Sequence, residues 1–74
     1  MAASEAEQTV ESARAAVDAD PEVGLRGLAA LRQLVERTEA AQVANARRAG
    51  WSWDEIGRAL GVSRQAAHKK HGGA

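Results

Sequence analysis

The sequence predicts an all-α protein, in which an N-terminal helical hairpin precedes two shorter helices. Apolar residues recur at steps of three and four along most of the chain, and residues that favour helix N-caps stand where these stretches begin. The only proline lies between the two longest stretches. The chain has 74 residues, 18 of them alanine, which is enough for one compact domain with a thin core. We therefore expect it to self-associate.

The first predicted helix begins after Ser4 and runs to about Ala19. Ser4 and Glu7 have the spacing of a capping box, in which each side chain accepts a hydrogen bond from the other residue's backbone N–H. Apolar residues at alternating three- and four-residue steps form a narrow seam that suits close helix packing. The seam consists of Ala3, Ala6, Val10, Ala13 and Val17.

The second predicted helix begins at Pro21 and runs to about Arg48. Asp20 is expected to cap this helix, Pro21 suits its first position, and Gly50 ends it. One side of the helix carries an apolar stripe that is wide enough to contact two neighbours. The stripe consists of Leu28, Leu31, Leu34, Val35, Thr38, Ala41, Gln42 and Ala44.

A third helix is predicted to begin at Trp53. Ser52 and Glu55 have the spacing of a second capping box, which places the helix start between them. Trp51 precedes the cap and Ile56 follows one turn later, which is the spacing of a hydrophobic staple. We therefore expect Trp51 to lie in the core.

The fourth predicted helix follows a sharp turn at Gly61. Glycine tolerates the left-handed conformation that such a turn requires, and Val62 after it is expected to point inward. Ser63 is an N-cap candidate for a helix over residues 64–71, which the next two glycines end.

Seven residues of this segment carry a resemblance to a known family. Their order is apolar, small, apolar, glycine, apolar, N-cap and small apolar, at Ile56, Gly57, Leu60, Gly61, Val62, Ser63 and Ala67. The segment resembles the helix-turn-helix of small bacterial transcriptional regulators, in homeodomain-like and sigma-factor region-4-like DNA-binding domains. The resemblance implies an N-terminal helical hairpin leading into a three-helix helix-turn-helix unit. In this one compact domain, residues 1–49 would pack and dimerise and residues 50–74 would bind DNA.

The fourth helix presents hydrogen-bond donors on the side opposite Ala66 and Ala67. Arginine matches the acceptors of guanine, glutamine matches adenine, and lysine and histidine reach base edges or phosphates. The base-reading candidates are Ser63, Arg64, Gln65, His68 and Lys69. The phosphate candidates are Arg47, Arg48, Ser52, Trp53, Arg58 and Lys70. These residues predict sequence-specific binding of double-stranded DNA, with helix 64–71 in the major groove, and a role in transcription regulation.

Charge is distributed unevenly, although the net charge is zero. Residues 1–46 carry four Arg against eight Asp or Glu, whereas residues 47–74 carry six Lys or Arg against two acidic residues. The basic end coincides with the predicted DNA-binding segment, as an electrostatic footprint on DNA requires.

Other interpretations of the same residues remain open. The donors of helix 64–71 would also be expected on a polar face that only water contacts, and the cations also compensate helix dipoles. Trp53 could instead cover the hydrophobic core. The main alternative function is a protein-binding adaptor that docks its basic helix-turn-helix on an acidic partner such as a transcription component. A basic helix resting on a membrane surface is disfavoured because that helix lacks a large apolar face.

The sequence does not lead us to expect an enzyme, a metal site or a membrane protein. The chain has no cysteine, hence no disulfide or thiolate zinc site, and no convergent catalytic groups, so we expect neither an enzyme nor a cofactor. His68 and His71 lack a third ligand, so no metal site is expected. We find no signal peptide or membrane segment and expect a cytoplasmic, nucleoid-associated protein. The expected partners are double-stranded DNA, a second copy bound through helices 1 and 2, and RNA polymerase.

Overall fold

A computed structural model describes residues 4–73, and it confirms the all-α fold. These residues form four helices and no strand: α1 (Glu5–Ala16), α2 (Pro21–Arg48), α3 (Trp53–Leu60) and α4 (Arg64–His71). Contacts divide the chain into two compact units, Met1–Thr38 and Glu39–Ala74, with the boundary inside α2. None of the described helices is both long and apolar enough to cross a membrane.

Helix α1 ends earlier than its predicted end near Ala19. Ser4 caps its start by accepting a hydrogen bond from the Glu7 backbone N–H at 3.1 Å. At the other end, the Asp18 carboxylate accepts a hydrogen bond from the Asp20 backbone N–H at 2.8 Å. Side chains of this kind compete with the helix for backbone donors, and the competition ends α1 at Ala16.

Asp20 caps the start of α2, as predicted. Its carboxylate accepts a hydrogen bond from the Glu22 backbone N–H at 3.0 Å, and the helix begins at Pro21 between them. Position N1 suits proline because the backbone N–H that proline lacks would have no partner there.

The apolar seam predicted on α1 does not form a packed surface within the first unit. Its described members are exposed, with Val10 at 56% and Val17 at 82% exposure, and Ala3 lies outside the described residues. The half-buried residues of α1 are instead Ser12, Ala15 and Ala16. The periodicity was sufficient to predict a helix, but within the first unit a different face of that helix is covered.

A glycine in α2 explains why this other face of α1 is covered. A Cβ built on Gly27 would lie 2.6 Å from the Ala16 backbone nitrogen and 2.8 Å from the Ala15 carbonyl carbon. Real side chains cannot approach a backbone that closely, so only glycine permits this contact. The first unit therefore packs backbone against backbone.

The buried face of α2 also differs from the predicted stripe. Leu34 is buried at 6% exposure and Leu31 is half-buried, but Leu28 and Val35 are 44% and 52% exposed. The rest of the predicted stripe, Thr38, Ala41, Gln42 and Ala44, is exposed. In the second unit the inward-facing residue is Val43, at 5% exposure, which the predicted stripe omitted.

The core of the second unit is small and draws one residue from each of three helices. Val43 of α2, Ile56 of α3 and Ala67 of α4 are between 2% and 5% exposed, and Ala46 and Trp53 pack against them. Trp51 was predicted to join this core, but it is 42% exposed. Trp51 instead borders a shallow apolar groove that Ile56 also lines.

The predicted caps and turns of the second unit are confirmed. Gly50 and Gly61 both have positive φ angles, 90° and 77°, which favour glycine. Ser52 forms the complete capping box of α3, and Ser63 caps α4 by accepting a hydrogen bond from the Ala66 backbone N–H. Val62 differs from the prediction because it is 46% exposed rather than inward-pointing.

Candidate nucleic-acid interface

Helix α4 presents an exposed polar row beside one buried anchor. Ala67 is 2% exposed and packs into the core of the second unit. Arg64, Gln65 and Lys69 are all exposed, and we call these three residues the outer row. The first turn of α4 carries no acidic residue, so the guanidinium and amide donors at this end have no carboxylate of their own turn to bind. Ser63 uses its hydroxyl to cap the helix, with 3.0 Å between its Oγ and the Ala66 nitrogen.

His68 is exposed like the outer row, but its ring also has contacts within the protein. The centroids of the His68 and Trp53 rings are 5.1 Å apart and the ring planes meet at 55°, a common geometry for an aromatic pair. A Cβ on Gly72 would lie 2.3 Å from His68 Cδ2 and 2.8 Å from its Nε2. The imidazole therefore occupies the space that a side chain at Gly72 would need.

Arg47 approaches the same indole from α2. Its guanidinium carbon lies 4.7 Å from the Trp53 ring centroid, within cation–π range. Arg47 Nη1 also donates a hydrogen bond to the Trp51 carbonyl oxygen at 2.8 Å, across the turn at Gly50. Trp53 thus contacts one side chain from α2 and one from α4, and Arg47 closes the turn between α2 and α3.

The N-terminus of α3 is already occupied by its own carboxylates. The Ser52 backbone N–H donates to Glu55 Oε1 at 2.9 Å, and Ser52 Oγ accepts from the Glu55 backbone N–H at 3.1 Å. These hydrogen bonds lower the pKa of Glu55. Asp54 adds a second negative charge in the same turn. Ser52 was predicted as a phosphate contact, and the structure places it beside charges that repel a phosphate.

Two further phosphate candidates have intramolecular partners. Arg58 Nη2 binds Asp54 Oδ2 at 2.8 Å in an exposed ion pair, and Arg48 Nη2 donates to the Asn45 side chain. Exposed ion pairs of this kind are weak and can be exchanged for other partners. Both arginines lie on the surface of the second unit.

Lys70 and His71 bind a carboxylate that the sequence analysis did not single out. Glu39 Oε2 lies 2.9 Å from Lys70 Nζ and 2.7 Å from His71 Nε2. The hydrogen bond from Lys70, followed by that from His71, holds the pKa of Glu39 below its ordinary value. One signal was present in the sequence, because Glu39 is the only acidic residue between Glu36 and Asp54. It therefore stands alone beside the basic segment.

The two histidines of α4 do not form a metal pair. The His68 ring contacts Trp53, whereas His71 binds Glu39 and its side chain is 10% exposed. No group of three potential metal ligands converges anywhere in residues 4–73.

The second unit carries most of the positive charge of the chain. Residues 39–74 contain six Lys or Arg and three acidic residues, all three of which are engaged with Ser52, Arg58, Lys70 or His71. The charges of the outer row have no such carboxylate among the contacts of the described residues.

Neither a protein-family model, nor a curated protein, nor a solved structure matches this chain at a significant level.

Proposed function

We propose that this chain is a helix-turn-helix protein that binds double-stranded DNA through α4 and regulates transcription. The observation that carries the proposal is the outer row, an exposed set of donors on a helix that Ala67 anchors to the core. Two eight-residue helices joined by a turn with a left-handed Gly61 support the same interpretation.

The outer row has the chemistry of major-groove recognition. Arg64 can donate two hydrogen bonds to the N7 and O6 atoms of guanine, and Gln65 matches the donor and acceptor of adenine. Lys69 lies one turn further along α4 and reaches either a base edge or a phosphate. In this arrangement the N-terminal half of α4 points into the groove.

A single short helix contacts only a few base pairs, so the proposal includes a second copy. Exposed apolar residues on α1 and α2, among them Val10 and Leu25 at 56% and 66% exposure, supply a surface for pairing. Two copies related by a twofold axis would read half-sites about 34 Å apart. Contact with RNA polymerase and association with the nucleoid belong to the same proposal.

The decisive experiment measures binding of a fluorescently labelled mixed-sequence duplex over a range of salt concentrations. The affinity is expected to fall steeply with salt, because bound cations release counterions from the phosphates. Arg64→Ala is expected to weaken binding about tenfold or more. Arg32→Ala, which removes an exposed arginine in the first unit, is the matched control and should leave binding unchanged. Absence of binding at low salt, or equal losses in both variants, would refute the proposal.

A second candidate function is a protein-binding adaptor for an acidic partner. The observation that favours it is the shallow apolar groove lined by Val43, Trp51, Ile56 and Leu60, in the same unit as the basic α4. An acidic amphipathic helix would place apolar side chains in such a groove. Trp51→Ala would then abolish partner binding, whereas under the DNA-binding proposal Trp51→Ala leaves duplex affinity unchanged.

A further inference from the structure

We infer that His68 is a positioning residue that fixes the rotation of α4 about its axis, and that base reading falls to the outer row alone. This inference rests on the proposed function, since it assigns the roles within the same helix. It removes His68 from the base-reading candidates for a structural reason. His68 is exposed, but its ring contacts Trp53 and fills the space beside Gly72 instead of extending from the helix.

The helical positions of the anchors show why α4 needs this contact. Successive residues are about 100° apart around a helix, so the anchors Lys70, Ala67 and His71 cover a sector of about 100°. Both salt-bridged residues lie in the last turn of α4, so His68 adds a contact beyond this sector and closer to the outer row. His68 lies about 100° from Ala67, and its ring contact with Trp53 opposes rotation of α4 about its axis. The side chain of Ala67 is too small to do so alone.

The other partner in this contact is itself held in place. Trp53 is half-buried against the core, and the Arg47 guanidinium lies 4.7 Å from its ring centroid. Arg47 is tied to the Trp51 carbonyl by a 2.8 Å hydrogen bond. The Trp53 indole therefore links Arg47 of α2 to His68 of α4, and the rotation of α4 sets the direction of the outer row.

The test compares His68→Phe with His68→Ala on a duplex that the unaltered protein selects from a random pool. Phenylalanine keeps the ring contact but has no hydrogen-bonding atoms, so His68→Phe should bind within about twofold of the unaltered protein. His68→Ala should bind about threefold to tenfold more weakly, which corresponds to the worth of one aromatic pair. Trp53→Leu also removes the Arg47 contact and core packing, so it should bind at least as weakly as His68→Ala, and the double variant should be no weaker than Trp53→Leu. Equal losses for His68→Phe and His68→Ala would show that His68 reads a base.

A variant that keeps His68 but displaces its ring tests whether the position of the ring matters. Gly72→Ala places a Cβ 2.3 Å from His68 Cδ2 and 2.6 Å from the His68 carbonyl oxygen, so it should weaken binding in the unaltered protein and add no further loss in the His68→Ala background. Gly73→Ala adds the same methyl group with no atom within 4 Å, and it should have no effect. Equal behaviour of the two glycine variants would overturn the inference.

A measurement without DNA distinguishes failure of this inference from failure of the proposed function. The amide chemical shifts of the outer row should differ from those of the unaltered protein in His68→Ala and should match them in His68→Phe. If no duplex is bound by the unaltered protein but these shifts behave as stated, the DNA-binding proposal fails and the positioning role stands. If the amide shifts are the same in all three proteins, the positioning role is wrong.

Discussion

Glu39 in α2 and His71 at the end of α4 are joined by a 2.7 Å contact between Oε2 and Nε2, across 32 positions of sequence. The same carboxylate oxygen receives Lys70 Nζ at 2.9 Å. The side chain of Glu39 is 22% exposed and that of His71 is 10% exposed, so water screens their contact less than the exposed Arg26–Glu22 and Arg58–Asp54 pairs. The cluster therefore holds the C-terminal end of α4 against α2.

We expect Glu39→Gln to lower the free energy of unfolding by about 0.5–1.5 kcal/mol. Glutamine keeps the size of the side chain but removes the negative charge that Lys70 and His71 contact. Glu11→Gln, which removes an exposed acidic charge from α1, is the control for a change in net charge. Urea unfolding followed by circular dichroism provides the measurement. An equal effect of the two substitutions would contradict a specific role for Glu39.

The contribution of Glu39 should disappear in acid. Hydrogen bonds from Lys70 and His71 place its pKa below the ordinary 4.5, so the folded state binds the Glu39 proton less readily than the unfolded state does. The stabilisation is then complete above the unfolded pKa and is lost as pH falls through the lower folded pKa. The difference in unfolding free energy between the native chain and Glu39→Gln should be constant near about pH 5 and shrink below about pH 4. A difference that grows in acid would contradict this assignment.

A matched pair of valines on α2 tests which face is buried. Val43 is 5% exposed and Val35 is 52% exposed, and each lies inside the helix. Val43→Ala should destabilise the protein by about 1–3 kcal/mol, because it leaves a cavity beside Ile56. Val35→Ala should be neutral or slightly stabilising, because alanine has the higher helix propensity. Thermal unfolding of the two variants gives the comparison, and similar melting temperatures would show that the assigned face is wrong.

A pair of glycines on α2 tests the close approach of α1. Gly27→Ala would force a Cβ to within 2.8 Å of the α1 backbone, whereas a Cβ at Gly24 would meet nothing closer than 3.4 Å. Gly27→Ala should therefore speed amide hydrogen exchange throughout α1, since the helix must move away. Gly24→Ala should stabilise α2 by up to about 1 kcal/mol through helix propensity. Fast exchange of α1 in the unaltered protein would mean that no such contact persists.

The ends of the helices could be predicted from the sequence because they depend on neighbouring residues. A capping box places Ser52 three residues from Glu55, and the positive φ of Gly61 needs a glycine regardless of the rest of the fold. Such features involve residues within one turn of each other, so single-sequence patterns are sufficient to find them. The end of α1 was misplaced because the competing contacts of Asp18 are weaker signals.

The buried faces could not be predicted as well, because burial depends on residues far apart in sequence. An alanine-rich helix has several faces of similar hydrophobicity, so its own sequence does not show which face is buried. In α1 the covered face is the one that Gly27 of α2 approaches. In α2 Val43 is buried because it packs with Ile56. The candidate site shows the same division. The outer row followed from spacing within α4, but the contacts of His68 and Glu39 join separate helices and could be found only in the structure.

Two adjacent lysines on α4 test the proposed DNA contact most directly. Lys69 belongs to the outer row, whereas Lys70 Nζ lies 2.9 Å from Glu39 Oε2. Each substitution to alanine removes one positive charge from the same helix, so their effects on the general electrostatic field are nearly equal. Lys69→Ala should reduce the slope of log affinity against log salt by about one, as the loss of one phosphate contact requires.

Lys70→Ala should instead lower the free energy of unfolding and leave the salt slope unchanged. Its charge is already compensated by Glu39, so binding DNA through Lys70 would first break an intramolecular pair. Anisotropy titrations at four or more salt concentrations give the slopes, and urea unfolding gives the stabilities. Equal slopes for the two variants would mean that DNA binds the whole basic surface of the second unit rather than the outer row of α4.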